Sequence, residues 1–285
     1  MQDTRKSLLT LRDEWKGCTR CDLGPRRLAC DGELITGEGV PRGIMFIGAG
    51  PGKDDETAGR PFSGESGKIL RRVLEKLGLR YYYLTNIVAC RSCTPFTDAS
   101  GQPMMRKNWK TRLPEISYKD EPPNPVQVAS CLERIQEEIY LVDPVVIVSL
   151  GSVATKALTK RHLSTLAQGV RGAAFHISIP GAGFQTVRTE KKEAWVRTQR
   201  GIVEMPIRPS EVQYLCIPTH DLVHVQMQLA DQSPKGPFME FVRDIRKAIQ
   251  VYERYMFELF GDVPSGVADE VPEFTEEEIA GPACD

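Results

Sequence analysis

Residues 44–62 read I-M-F-I-G-A-G-P-G-K-D-D-E-T-A-G-R-P-F. Four apolar residues, Ile44 to Ile47, run straight into a turn holding Gly48, Gly50 and Gly52. An apolar run that short, bounded by a turn, signals a buried strand. Glycines at its exit let backbone N–H groups approach a ligand closely. A nucleotide phosphate fits poorly: there is no G-x-x-x-x-G-K-[ST], and Lys53 stands where G-x-G-x-x-G needs its third glycine.

Working outward, residues 4–16 show the spacing of a short amphipathic helix, and a helix is predicted over 67–77 with Ser66 as cap and Gly78 as stop. Tyr81 to Val88, rich in aromatic and β-branched residues, reads as a second strand. Asn124 caps and Pro125 opens a helix to about Val142. Pro144 to Leu150 is a third strand, with a short helix from Gly151 to about Leu158, and Tyr214 to Pro218 is a fourth, followed by a long helix from about Pro237 to Leu259. Strands alternating with helices predict a three-layer α/β/α sandwich around a mainly parallel four-stranded sheet. Two irregular insertions, about 94–123 and 181–209, interrupt it. The first interleaves bases with an aromatic in Met104-Met105-Arg106-Lys107-Asn108-Trp109-Lys110, as single-strand binders do and as an ordinary solvated face also does. The second carries Arg188, Lys191, Lys192, Arg197 and Arg200. Loops at the carboxyl ends of parallel strands form the binding crevice of such a fold. The glycine turn, Asn86 and His220 all leave strands at that edge and are expected to converge.

With 285 residues, 41% of them hydrophobic, the chain is long enough to bury a full core. No apolar run approaches a bilayer span, and M-Q-D-T-R-K lacks the apolar core of a signal peptide, so a cytoplasmic protein is expected; a monomer is expected too. The net charge of −1 hides an asymmetry: residues 262–285 hold eight acids and no Lys or Arg. Without them, 37 basic side chains face 30 acidic ones, a balance that suits a polyanion partner or merely a solvated surface. The reading is one domain over 1–261 and an acidic, disordered tail over 262–285, open to three roles: mimicking DNA, recruiting a protein partner, or none.

Eight cysteines in a reducing compartment argue against a disulfide framework. Cys18-Thr19-Arg20-Cys21 is a C-x-x-C, with Cys30, Cys90, Cys93, Cys131, Cys216 and Cys284 elsewhere.

Cys18/Cys21, the loop Gly48 to Gly64, Thr85-Asn86-Ile87-Val88-Ala89-Cys90-Arg91, Cys131, Leu150-Gly151, Arg171-Gly172 and Thr219-His220 follow one another in a familiar order. In these motifs the chain resembles the iron–sulfur uracil-DNA glycosylases, family 4 above all, over about residues 15–245. The resemblance implies a [4Fe–4S] cluster held by Cys18, Cys21, Cys90 and Cys131, with a tetrahedral zinc site as rival and Cys93 as a substitute for Cys90. It implies an enzyme of base-excision repair that hydrolyses the N-glycosidic bond of uracil, or a related deaminated or modified pyrimidine, in single- or double-stranded DNA. The alternative is a binding module of the same fold that has lost its activity.

The chemistry expected of such an enzyme assigns the site residues. A flipped base is read by stacking and by an amide, which gives Phe62 and Asn86. The uracil anion needs donors, which gives the backbone of Gly48, Ala49 and Gly50 and the imidazole of His220. Ser63, Ser66 and Lys68 at a helix start suit a DNA phosphate, and Leu222 or Val223 suits the gap left in the base stack. Two positions depart from the family pattern. Ala49 stands where family 4 has a glutamate, leaving Asp55 as the expected partner of the attacking water, and Asp221 replaces the proline after the histidine.

Overall fold

The computed structural model describes residues 4–29, 32–107, 112–160, 171–178, 194–198, 201–205, 213–229, 233 and 235–261. Cys30, Cys284, the tail from 262 and most of the second insertion therefore lie outside the described residues. In chain order the helices are α1 (Thr4–Trp15), α2 (Leu23–Ala29), α3 (Lys53–Ala58), α4 (Glu65–Lys76), α5 (Pro125–Val142), α6 (Gly151–Thr159), α7 (Leu222–Met227) and α8 (Pro237–Phe260). The strands are β1 (Glu38–Gly39), β2 (Ile44–Gly48), β3 (Tyr82–Asn86), β4 (Cys93–Pro95), β5 (Met105–Lys107), β6 (Pro114–Ile116), β7 (Tyr118–Asp120), β8 (Val146–Leu150), β9 (Phe175–Ser178), β10 (Ala194–Thr198), β11 (Gly201–Met205) and β12 (Gln213–Thr219).

The main sheet has the order β1-β3-β2-β8-β12-β9. Its four inner strands are parallel, as the sequence predicts, while β1 and β9 pair antiparallel at the two edges. The edge strands escape a periodicity reading: β1 is only two residues long, too short to show alternation. Alternation along the inner strands builds two cores. Ile44 and Phe46, Leu84, Val146 and Val148, and Ile217 pack with α4, α7 and α8. Met45 and Ile47, Tyr83, Ile147 and Cys216 pack with α1, α2, α5 and α6. Each fully buried Ile, Leu or Phe in these layers contributes about 1.5–3 kcal/mol.

Local signals set the helix ends. The Asn124 side chain accepts from Val126 and Gln127 N–H, with Pro125 following, as expected. The cap of α4 is Gly64 rather than Ser66, which sits inside the first turn. The first insertion is no irregular loop: β4 pairs with β7 and β5 with β6 as two short ribbons. Two of its bases, Arg106 and Lys119, are ion-paired with Glu115 and Glu121, while Asn108, Trp109 and Lys110 lie outside the described residues. In the second insertion, β10 and β11 form a hairpin.

Register places the exits of the inner strands in one row. Gly48 of β2 lies opposite Asn86 of β3, Ile47 opposite Ser149 of β8, and Leu150 of β8 opposite Thr219 of β12. Asn86 and Thr219 thus stand three strand spacings apart, about 14 Å.

Candidate functional site

At the exit of β2, absence of a side chain is a requirement. A Cβ on Gly48 would lie 2.4 Å from Asn86 Oδ1 and 2.9 Å from Phe62 Cζ. Glycine, amide and aromatic ring therefore meet at one point. Asn86 is 2% exposed, and its Nδ2 is buried with no hydrogen-bond partner among the described residues. Leaving such a donor unsatisfied costs about 1–3 kcal/mol. Phe62 is 9% exposed and has φ +55°, a left-handed conformation that strains a bulky residue.

Asp55 holds that strain in place. Its Oδ2 accepts from Gly52 N–H (3.0 Å), its Oδ1 from Ser63 N–H (2.6 Å), and Phe62 and Gly64 N–H also donate to it. Burial raises its pKa against these four donors. Gly67 closes the turn from below, since a Cβ there would come within 2.2 Å of the Phe62 carbonyl oxygen. Arg71 Nη2 donates to Pro61 O and to Glu38 at the sheet edge.

The amide is held from the other side of the sheet. Arg134 and Glu138, fully buried on α5, form an ion pair at 2.5 Å. Arg134 Nη2 donates to the Asn86 and Ile87 carbonyls, and Glu138 accepts from Tyr83 OH, Thr85 Oγ1 and Gly37 N–H. The loop after β3 is also tied to the glycine turn, Ile87 and Val88 N–H donating to the Gly48 and Ala49 carbonyls.

His220 follows β12 and is largely buried. Its Nε2 lies 2.8 Å from Glu240 Oε2 on α8. Glu240 Oε1 accepts from Arg171, which also reaches Asp244 Oδ2; Thr219 Oγ1 donates to the same Asp244 oxygen. Burial lowers the His220 pKa, Glu240 raises it, and Arg171 lowers it again. The Arg171-Gly172 and Thr219-His220 motifs are thus fastened by two acids, Glu240 and Asp244, that motif reading passes over. The signal for them is faint: two acids four residues apart beside the apolar stripe Phe238, Phe241, Val242 and Ile245.

The cysteines of three distant segments face one junction under α5. Cys90 and Cys131 are buried in the core there, with Cys18 and Cys21 packed against it. Cys90 feels the charge of Cys131 and Cys21, and Cys131 that of Cys21 and Cys18. Burial pushes the Cys90 thiol up to about 11 against the pull of Arg27. Cys93 instead faces Arg91, Arg26, Glu56 and Asp120. Among the described residues, no three His, Cys, Asp or Glu side chains are already arranged to hold a metal ion.

The family pattern described as "Uracil DNA glycosylase superfamily" matches residues 38–210, more than half of the chain. The chain belongs to the uracil-DNA glycosylase superfamily. It is similar to the "Type-4 uracil-DNA glycosylase" of Pyrobaculum aerophilum, 30% identical over 154 residues, 53% of this chain and 64% of that one. The counterparts of the same name from Thermotoga maritima (31% over 155 residues, 53% and 66%) and Sulfurisphaera tokodaii (30% over 154 residues, 53% and 57%) are similar too. The aligned stretch spans less than two thirds of each of these relatives.

Within this superfamily fold, the sequence-predicted residues part company. Gly48, Phe62 and Asn86 are brought together, and Asp55 stands behind them rather than open to a water. Leu222 is 5% exposed and packs in the core, so it is no wedge for DNA; Val223, 49% exposed, is the side chain this helix start presents outward. Asp221 caps α7, accepting from Val223 N–H, which accounts for an acid where the family has proline. Ser63 Oγ donates to Arg60 O, Ser66 is half-exposed, and Lys68 pairs with Glu65. No helix among the described residues is long and apolar enough to cross a membrane.

Proposed function

We propose that the protein is a DNA glycosylase that removes uracil, or a closely related deaminated pyrimidine, by hydrolysis of its N-glycosidic bond. One observation carries this reading: the buried Nδ2 of Asn86, unpartnered among the described residues, on an amide that meets Phe62 over a glycine whose missing side chain lets the two approach. Uracil presents an acceptor at O4 beside a donor at N3, the complement of an amide's NH₂ and carbonyl. An orphaned donor that regains its partner only when that edge arrives ties the cost of the site to the substrate it selects. Phe62 stacks on the base, and the backbone of Ala49 and Gly50 faces the charge that develops on the departing ring. Asp55 acts as a positioning residue, because its carboxylate is committed to the Phe62 turn.

Cys18, Cys21, Cys90 and Cys131 are proposed to hold the iron–sulfur cluster. The donor set suits it: Cys90 and Cys131 are buried in one core with Cys18 and Cys21 packed against it, and Arg27 beside Cys90 is 4% exposed, has an unpartnered Nε and, among the described residues, donates to the Gly32 and Lys16 carbonyls and toward Cys90. A buried guanidinium without a carboxylate, among the described residues, fits an anionic centre. When bound, the cluster pins α1 and α2 to α5. DNA is the proposed partner, met by Val223, by Ser63, Ser66 and Lys68 at the α4 start, and by the first insertion. A protein partner for the acidic tail and a monomeric, cytoplasmic state remain part of the proposal.

The test is incubation of the full chain with a uracil-containing oligonucleotide, then alkali. Scission at uracil, with a thymine control intact, is the expected result; binding without scission points to the inactive module.

A further inference from the structure

Among the described residues, two carboxylates around the glycine turn are already engaged: Glu56 and Asp120 bind Arg91. Ala49 stands where family 4 carries a loop glutamate, and Asp55 is enclosed by four backbone N–H groups. Asp120, beside the glycine turn, is taken by Lys53 N–H and Arg91, and Asp221 caps α7, whereas Glu240 on α8 meets an imidazole. We infer that Glu240 is the positioning residue that turns His220 into a proton acceptor at Nδ1, so that this pair serves the attacking water in place of the missing loop carboxylate. The inference rests on the glycosylase reading above and deepens it.

The geometry supports each part. A carboxylate only accepts, so the 2.8 Å contact between Glu240 Oε2 and His220 Nε2 puts the proton on Nε2. In the neutral ring the lone pair then sits on Nδ1. Among the described residues, the contact to Glu240 is the ring's one hydrogen bond, and Nδ1 is left to accept. Glu240 is itself aimed: Arg171 Nη2 donates to its other oxygen at 2.7 Å, and Arg171 Nη1 donates to Asp244 Oδ2 at 2.9 Å. His220 directly follows Thr219, which shares the row of strand exits with Gly48 and Asn86.

The step balances. The bond between C1′ and the base nitrogen breaks with its electron pair leaving on uracil, water oxygen bonds to C1′, and the proton from that water passes to His220 Nδ1. The uracil anion takes up a proton from solvent as the imidazolium returns one. With Nε2 committed to Glu240, the anion is met by backbone N–H groups of the glycine turn rather than by the histidine. The charged groups facing His220 are Glu240 and Asp244 from α8, Arg171 before β9, and His224 from α7, whose ring lies 5.5 Å away. Of these, Glu240 favours protonation directly, while burial, Arg171 and His224 oppose it.

The test uses the full chain with Glu240→Gln and Glu240→Asp. Gln keeps a hydrogen-bond acceptor but removes the charge that supports an imidazolium. Its kcat on a uracil oligonucleotide is expected to fall about tenfold or more with KM little changed, a loss in the range of acid–base assistance. The acid limb of its kcat–pH profile moves to lower pH, because the contribution raising the His220 pKa is gone; Glu240→Asp restores part of the rate. Independently of activity, ¹⁵N spectra of the wild-type imidazole near neutral pH report the Nε2–H tautomer. An Nδ1–H tautomer, or a Glu240→Gln enzyme with wild-type kcat and an unmoved acid limb, overturns the inference while the glycosylase reading stands. A folded wild-type chain that releases no uracil overturns that reading, and the inference with it.

Discussion

Asn86 is a liability to the empty fold, since it keeps a sealed amide donor without a partner. Replacing it by leucine, close in size and without polar atoms, removes that penalty of about 1–3 kcal/mol. Asn86→Leu is therefore expected to melt at or above the wild-type temperature while uracil release falls at least about a hundredfold, the two readouts moving in opposite directions. Gly48→Ala makes the complementary statement. Its methyl would press on Asn86 Oδ1 and the Phe62 ring. Far-ultraviolet circular dichroism should be unchanged and turnover lost. These residues were legible in the sequence because glycine, aromatic and amide sit in contiguous motifs at strand ends. Glu240 and Asp244 were not, because their meaning depends on which face α8 turns toward Arg171, a fact of tertiary packing. Leu222 shows the same blindness: a wedge and a core residue one position apart look alike until the helix phase is known.

At the scale of elements, the site is a set of loops held from behind. Gly67 on α4 carries the backbone of Phe62, and a methyl there meets main chain at 2.2–2.6 Å, which cannot rotate away. Gly67→Ala is expected to lower stability by about 1–3 kcal/mol through overpacking, read as a shift of the urea midpoint, and to weaken activity through Phe62. On α5 the buried pair Arg134–Glu138 locks the carbonyls of Asn86 and Ile87. Arg134→Met strands Glu138 as a buried charge and is expected to cost about 3–5 kcal/mol, whereas the double change Arg134→Met with Glu138→Gln recovers part of that loss. Strand and helix identities followed from periodicity because the inner strands are wholly buried and α5 and α8 are long. The ribbons of the first insertion, three residues per strand, are too short to carry a pattern.

Across the whole molecule, two constraints meet in the same strand exits: a parallel sheet that aligns Gly48, Asn86 and Thr219, and a cysteine junction that ties the N-terminal helices to α5. If that junction holds a cluster, its loss frees α1 and α2 while the sheet persists. Chelation of freshly purified protein is expected to expose residues 4–29 to limited proteolysis first and to abolish the absorbance shoulder near ~400 nm expected of a cluster. The central claim is that these exits close around one flipped pyrimidine. It is tested most directly by a crystal structure of the full chain with an oligonucleotide bearing 2′-fluoro-2′-deoxyuridine, whose fluorine slows formation of the sugar cation. The account predicts the uracil ring stacked on Phe62 with O4 within hydrogen-bonding distance of Asn86 Nδ2. A uracil still stacked in the DNA, or seated elsewhere with Asn86 Nδ2 unpartnered, would contradict it.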